Sequence, residues 1–218
     1  MAQQGVVGEV LHVEGSYIHN LNNNWERYVN DWRLQYNKEF RGDVYPTHGI
    51  GPVAQVLNIH RGDRMKTLVS MDTKPVNLPE YLIEKRGVDR DSAYNFANGQ
   101  HTMTMISTEN GKTLQIQHDV TSPRPYSRMY QVSGTKGYAN KYPVEGYAIE
   151  DEGQGFSSHD FLSQDNMNML MDKYKHRIHR ELEEKAKEVG GHGGMDFIMD
   201  YRLIYCLRNG LPLDMDVY

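Results

Sequence analysis

The sequence predicts an α+β domain, a mostly antiparallel open β-sheet with helices packed on one face. Three observations predict it. Short alternating stretches occupy the first two thirds of the chain, hairpin-length links join several of them, and the long helical periodicities come last, after residue 160. Strands joined by so few residues are antiparallel neighbours, because a parallel return needs a crossover of about a dozen residues or more.

The elements follow in order. Val6 to His19 alternates in β fashion, with Val10, His12, Glu14, Ser16 and Ile18 on one face. Leu11, Val13, Tyr17 and His19 take the other, so Tyr17 and His19 project together. Leu21 to Gly42 carries Trp25, Tyr28, Trp32 and Tyr36 at spacings of three or four and predicts a helical or irregular excursion. After Tyr45-Pro46, Thr47 to Asn58 reads as a helix with Val53, Val56 and Leu57 on one face and Gly62 beyond its end. Lys66 to Asp72 is a short strand, and Lys74 to Gly99 a polar insertion with at most a little helix. Met103 and Met105 alternate before Asn110-Gly111, and Leu114, Ile116, His118 and Val120 alternate after it, the pattern of a hairpin with a tight turn. A third strand, Met129 to Ser133, turns through Gly134 to Gly137 into a fourth that begins at Tyr138. Ser157 and Asp160 resemble a capping box ahead of one long amphipathic helix, Phe161 to Val189. Gly190 and Gly191 end it, and Asp196 to Asn209 forms a last helix stopped by Gly210 and Pro212.

Composition bounds the function. With 218 residues, 38% of them hydrophobic, the chain can build the core of one sizeable domain. A net charge of −5 with scattered Lys and Arg argues against nucleic acid or anionic lipid as partner and points to a small or neutral one. No apolar run approaches the ~20 residues of a membrane-spanning helix, so the chain reads as soluble. Cys206 has no mate, which removes disulfide frameworks and thiolate metal sites. The strand-like run close behind Met1 and the abrupt stop at Asp216-Val217-Tyr218 read as a piece of a longer protein, whose targeting signal, if any, would precede this chain.

Gly49-Ile50-Gly51-Pro52-Val53-Ala54 formally satisfies the dinucleotide-binding Gly-x-Gly-x-x-Ala fingerprint. That turn must follow a buried parallel strand, whereas Asp43 to His48 is polar and holds Pro46, so helix packing is the better reading. His176 and His179 lie one helical turn apart but among Lys173, Lys175, Arg177 and Arg180, which oppose cation binding; no metal site is expected. Tyr17, Arg33, Tyr45, His48, Arg124 and Tyr126 instead sit in or beside Pro- and Gly-punctuated loops, where sites are usually built. Pro123 and Pro125 stiffen the chain around Arg124 and Tyr126. Residue types alone leave two readings of this group open, a ligand site or a set of sheet-capping aromatics, and His192 between glycines is equally a site residue or a link.

The strings Gly15-Ser16-Tyr17-Ile18-His19, Tyr45-Pro46-Thr47-His48-Gly49-Ile50-Gly51-Pro52, Ser122-Pro123-Arg124-Pro125-Tyr126-Ser127-Arg128 and Gly193-Gly194-Met195-Asp196-Phe197 resemble glycoside hydrolase family 109, of the Gfo/Idh/MocA superfamily. The resemblance spans nearly the whole chain. It implies an NAD-dependent, α-N-acetylgalactosaminidase-like enzyme of two domains, of which residues 1–218 are the substrate-binding sheet domain and the Rossmann NAD-binding domain is absent from this chain. By motif it implies substrate contacts from Tyr17, Arg33, Tyr45, Pro46, Thr47, His48 and Tyr126, with Tyr45 also touching NAD and His48, Tyr45 or Tyr17 as catalytic base. The Glu-Lys-Pro element of the family's dinucleotide half is missing, and this chain alone is expected to be inactive. The resemblance leaves two alternatives: a sugar or inositol oxidoreductase of the same superfamily, or a non-catalytic module that forms homo-oligomers through its sheet face.

Overall fold

The structure, a computed structural model, describes residues 1–150 and 160–214. It divides into two units, Met1–Ser163 and Gln164–Tyr218.

In the first unit the alternation read from Val6 to His19 produces strand β1, Val10–Ile18. A polar and aromatic excursion follows as helices α1, Trp25–Tyr28, and α2, Trp32–Glu39, the latter capped by the Asp31 carboxylate on the Trp32 N–H at 2.7 Å. Helix α3 covers Thr47–Val56 and leads to strand β2, Met65–Asp72. The segment expected to be a polar insertion contains more helix than its composition suggests, α4 at Asn77–Arg86 and α5 at Arg90–Ala93. The reason is tertiary: Leu78 and Leu82 of α4 are buried, and Leu78 joins a cluster with Trp25, Tyr28 and Val120. Strands β3, Thr102–Thr108, and β4, Thr113–Asp119, form the expected hairpin, with Gly111 at φ +78°. Asp63 accepts the Asn110 N–H at 3.2 Å and holds that turn in place. Strands β5, Tyr130–Gly134, β6, Gly137–Lys141, and a further strand β7, Gly146–Ile149, complete the sheet.

The strand order is β2-β3-β4-β1-β5-β6-β7, antiparallel except where β1 runs parallel to β4. That one parallel contact is possible because the chain between β1 and β4 is a long crossover through helices and a hairpin. One sheet face carries Val13, Ile106, Leu114 and Ile116, all buried, and each large aliphatic so buried contributes about 1.5–3 kcal/mol. Helix α3 lies against this face. The opposite face presents Val69 and Met71 beside Met105 and Met103, directly paired across β2 and β3 and between 45% and 65% exposed.

Helix α3 approaches β1 more closely than side chains allow. A Cβ on Gly15 would lie 1.9 Å from the Gly49 carbonyl oxygen, and one on Gly49 would lie 2.9 Å from Ile116 Cγ2. Backbone therefore meets backbone at the middle of the sheet. Gly49 is buried against β1 and supplies helix packing, the role that the sequence pattern favoured over a phosphate-binding turn.

The second unit corrects one expectation. The single helix foreseen from Phe161 to Val189 is two, α6 at Gln164–Tyr174 and α7 at Arg177–Val189. His176 breaks it by adopting extended backbone and capping α7, its Nδ1 accepting the Ile178 N–H at 3.2 Å. The expected capping box involves Ser157, which lies outside the described residues. The last helix, α8, spans Met195–Asn209, ends at Gly210 and buries Cys206.

Candidate functional site

Strand β1 delivers Tyr17 and His19 to one side of the sheet, and their rings stack at 5.7 Å. The parallel register with β4 sets His118 beside Tyr17, ring to ring at 6.0 Å. From the first turn of α3, His48 meets the Tyr17 ring at 4.6 Å, and Tyr45, two residues before the helix, packs its edge against both, 5.8 Å from Tyr17 and 5.1 Å from His48. Helix α2 brings Arg33, whose guanidinium lies 5.5 Å over the Tyr45 ring and 4.6 Å over Trp32. Asp31 holds that guanidinium at 2.8 Å.

Tyr126 joins from the other flank. Ser127 forms an antiparallel bridge with Ile18, donating and accepting at 2.9 Å, which lays its neighbours alongside the end of β1. Tyr126 thereby packs edge-on against His19 at 5.1 Å, and the Arg128 guanidinium lies 5.8 Å over Tyr17 and 5.7 Å over Tyr126. Tyr17, Arg33, Tyr45, His48 and Tyr126 therefore share one aromatic wall. Pro46 and Thr47 lie at its rim, exposed, as the cap and first residue of α3. Arg124 does not join it; its guanidinium turns to His101 Nδ1 at 3.2 Å. A cleft of about 240 Å³ opens along the wall, lined by Tyr17, Tyr28, Arg33, Tyr45, His118 and Val120 among others.

Several residues of this wall carried no role in the sequence. Arg128 is the most consequential: its Nε is buried without a hydrogen-bond partner, and no carboxylate among the described residues pairs with it. Arg124 and Arg128 both stand two residues from Tyr126 in the sequence, and it is the Ser127–Ile18 bridge and the Arg124–His101 contact that put Arg128 with the phenols. His118 and His19 were visible only as strand positions.

The electrostatics favour neutral rings. Burial pushes the Tyr17 phenol above its ordinary value, with Arg128 partly offsetting it. Burial, then Arg128, pushes the His19 imidazole down. Burial likewise lowers His118, against the pull of Asp43, 3.9 Å away, and of Asp119. Asp43 is itself raised by burial, with His118 and the Tyr45 N–H opposing. Asp43 Oδ1 accepts that N–H at 2.9 Å and so fixes the approach to Tyr45.

An open, mostly antiparallel sheet of this order, with helices on the side that carries an aromatic and cationic wall, defines the class of fold: an α+β sheet domain. Two solved structures share the fold at low identity. Myo-inositol 2-dehydrogenase from Lactobacillus plantarum matches with TM-score 0.51 at 9% identity over 99% of this chain and 51% of its own. Scyllo-inositol dehydrogenase from Lactobacillus casei, solved with NAD(H) and scyllo-inositol, matches with TM-score 0.50 at 8% identity over 98% and 51%. The chain itself belongs to glycosyl hydrolase family 109: the family model described as "Glycosyl hydrolase 109, C-terminal domain" matches residues 1–218. Glycosyl hydrolase family 109 protein 1 of Phocaeicola vulgatus is 63% identical over the whole of this chain and 48% of its own length, and that of Bacteroides thetaiotaomicron 61% over the same shares. The chain spans about half the length of the curated relatives it matches. No helix among the described residues is long and apolar enough to cross a membrane.

Proposed function

We propose that this chain is the sugar-facing half of an NAD-dependent glycoside hydrolase acting on α-N-acetylgalactosaminides, completed by a Rossmann domain that this chain does not contain. The observation that carries the reading is the convergence of His48, Tyr17 and Tyr45, ring centroids 4.6–5.8 Å apart, between two guanidiniums, with Tyr17 and Tyr45 also lining an open cleft. Phenols, an imidazole and guanidiniums suit neutral hydroxyls and an acetamide better than the paired carboxylates of ordinary glycosidases.

Of the residues present, Tyr45 fits a contact with the dinucleotide, because its ring is only partly buried and backed by His48, Trp32 and Tyr17. The bound NAD would supply reversible oxidation of the sugar C3 hydroxyl to a ketone, which acidifies the proton on C2. His48 then takes the C2 proton as general base, and the C1–oxygen bond breaks to release the aglycone. Tyr17, kept as a neutral phenol by burial, donates a hydrogen bond or a proton to the departing oxygen. Water adds at C1 as His48 returns the proton to C2, and the two electrons taken from C3 would be given back there by the reduced cofactor, so that the cycle carries no net oxidation. Arg33 and Tyr126 orient the sugar from the two ends of the wall, with Pro46 and Thr47 at its rim.

In the full-length protein, His48→Ala should lower turnover by about 100-fold or more if the imidazole is the base. Unchanged turnover removes it from that role. An aryl α-N-acetylgalactosaminide should release its aglycone without stoichiometric NADH. NADH accumulating without aglycone would instead mark a net sugar or inositol oxidoreductase.

The exposed pairs Val69–Met105 and Met71–Met103 favour a second, compatible reading, a homo-oligomer formed through the open sheet face. Sedimentation of Met105→Lys should then show a smaller species than wild type, and identical sedimentation would refute it.

A further inference from the structure

We propose that Tyr130 is a positioning residue that fixes His48 in register with the wall, a role that rests on the function proposed above and adds to it. Pro52 stands four residues after His48 inside α3 and has no N–H, so the ordinary helical bond to the His48 carbonyl cannot form. The Tyr130 hydroxyl, from β5, donates to that carbonyl instead. The ladder around it is otherwise intact, with the Ile50 N–H on the Pro46 carbonyl at 2.8 Å and the Leu57 N–H on the Val53 carbonyl at 3.1 Å.

The placement is not incidental. Tyr130 is the register partner of Gly15 across β1 and β5, and Gly15 is where the Gly49 backbone touches the sheet. Two constraints thus act on adjacent residues of α3. The Gly15–Gly49 contact sets how far the helix stands from the sheet, and the Tyr130 bond sets where along the strand His48 sits. A proline that frees one carbonyl and a phenol that claims it form a reciprocal pair, worth more to position than either alone. Tyr130 is a half-buried phenol that burial pushes above its ordinary value, so it remains a protonated donor through the neutral range. Its hydroxyl binds the carbonyl of His48, leaving the imidazole to face Tyr17 and Tyr45.

The test uses Tyr130→Phe, Pro52→Ala and the double variant, each made in the 218-residue chain and in the full-length protein. In the chain, hydrogen exchange of the first turn of α3 should quicken in Tyr130→Phe and return toward wild type in the double variant, where the N–H that alanine restores in place of Pro52 can serve the His48 carbonyl. In the full-length protein Tyr130→Phe should lower kcat by about 10- to 100-fold with KM changed far less, and the double variant should recover most of that loss. A structural phenol without this role would leave exchange in α3 unchanged, or the double variant would be as impaired as the sum of the singles; either result overturns the proposal. If exchange behaves as expected while His48→Ala retains full turnover, the tether stands and the catalytic assignment of His48 fails. Pro52 is exposed, so Pro52→Ala leaves the core intact, and its near-wild-type melting is the control.

Discussion

Three glycine-to-alanine changes test the closeness of α3 and β1 from the same pair of elements. In Gly15→Ala the new methyl would stand 1.9 Å from the Gly49 oxygen and 2.8 Å from its carbonyl carbon, both backbone atoms that no rotamer change can move aside. Relieving only the nearer contact to 3.0 Å displaces α3 by about 1 Å, and overpacking of this kind costs roughly 1–3 kcal/mol or more. In Gly49→Ala the nearest atom is Ile116 Cγ2 at 2.9 Å, a buried side-chain methyl that need give only by a few tenths of an ångström, while the Gly15 backbone stays at 3.6 Å. Its cost is offset by the ~1 kcal/mol that Ala gains over Gly inside a helix. Gly51→Ala meets nothing within 4 Å beyond its chain neighbours, but its methyl would press on the Pro52 ring, which disfavours helical backbone in the residue before a proline and offsets the helical gain. The expected order of stability is Gly51→Ala and Gly49→Ala near wild type and Gly15→Ala well below. At about 2–4 °C per kcal/mol for a domain of this size, Gly15→Ala should melt some 2–12 °C lower in a thermal scan followed by circular dichroism. Equal melting of Gly15→Ala and Gly49→Ala would refute the backbone contact between strand and helix. The same 1 Å shift would carry His48 out of position, so Gly15→Ala should also lose activity in excess of its loss of stability.

Two further outcomes follow from the charges. Burial lowers His118 below its usual 6.5, so the unfolded chain binds a proton first on acidification. Stability should therefore fall as pH drops through 6.5 toward the folded value, by at most about 1.4 kcal/mol per pH unit for this one group, and urea titrations of His118→Gln should show a flatter slope; a slope equal to wild type would assign the effect to other groups. Because Arg128 lowers both Tyr17 and His19, Arg128→Met should raise the titration of each, read by ultraviolet phenolate absorbance and by His19 imidazole resonances; a downward move of either would contradict the placement of the guanidinium.

Much of the fold is legible in periodicity, because the alternation of β1 and the Met103-to-Val120 hairpin is a property of local backbone geometry. The Tyr45 to His48 segment announces itself the same way, as a proline-stiffened entry to a helix. The long helix misread across His176 shows the limit: spacing continued through residues 175 and 176, and nothing in it recorded that an imidazole would turn back to cap Ile178. Helices α4 and α5 were underestimated because Leu78 and Leu82 gain their helix from burial rather than from an amphipathic stripe.

From residue order come the alternating strands, the hairpin, the breaking glycines and the family to which the chain belongs. Folding alone set Tyr17 opposite His118, chose Arg128 over Arg124 for the wall and joined Tyr130 to the carbonyl that Pro52 leaves open. Periodicity is written within a few residues, whereas these contacts span between 23 and about 110 positions and exist only once strand register and helix height are fixed.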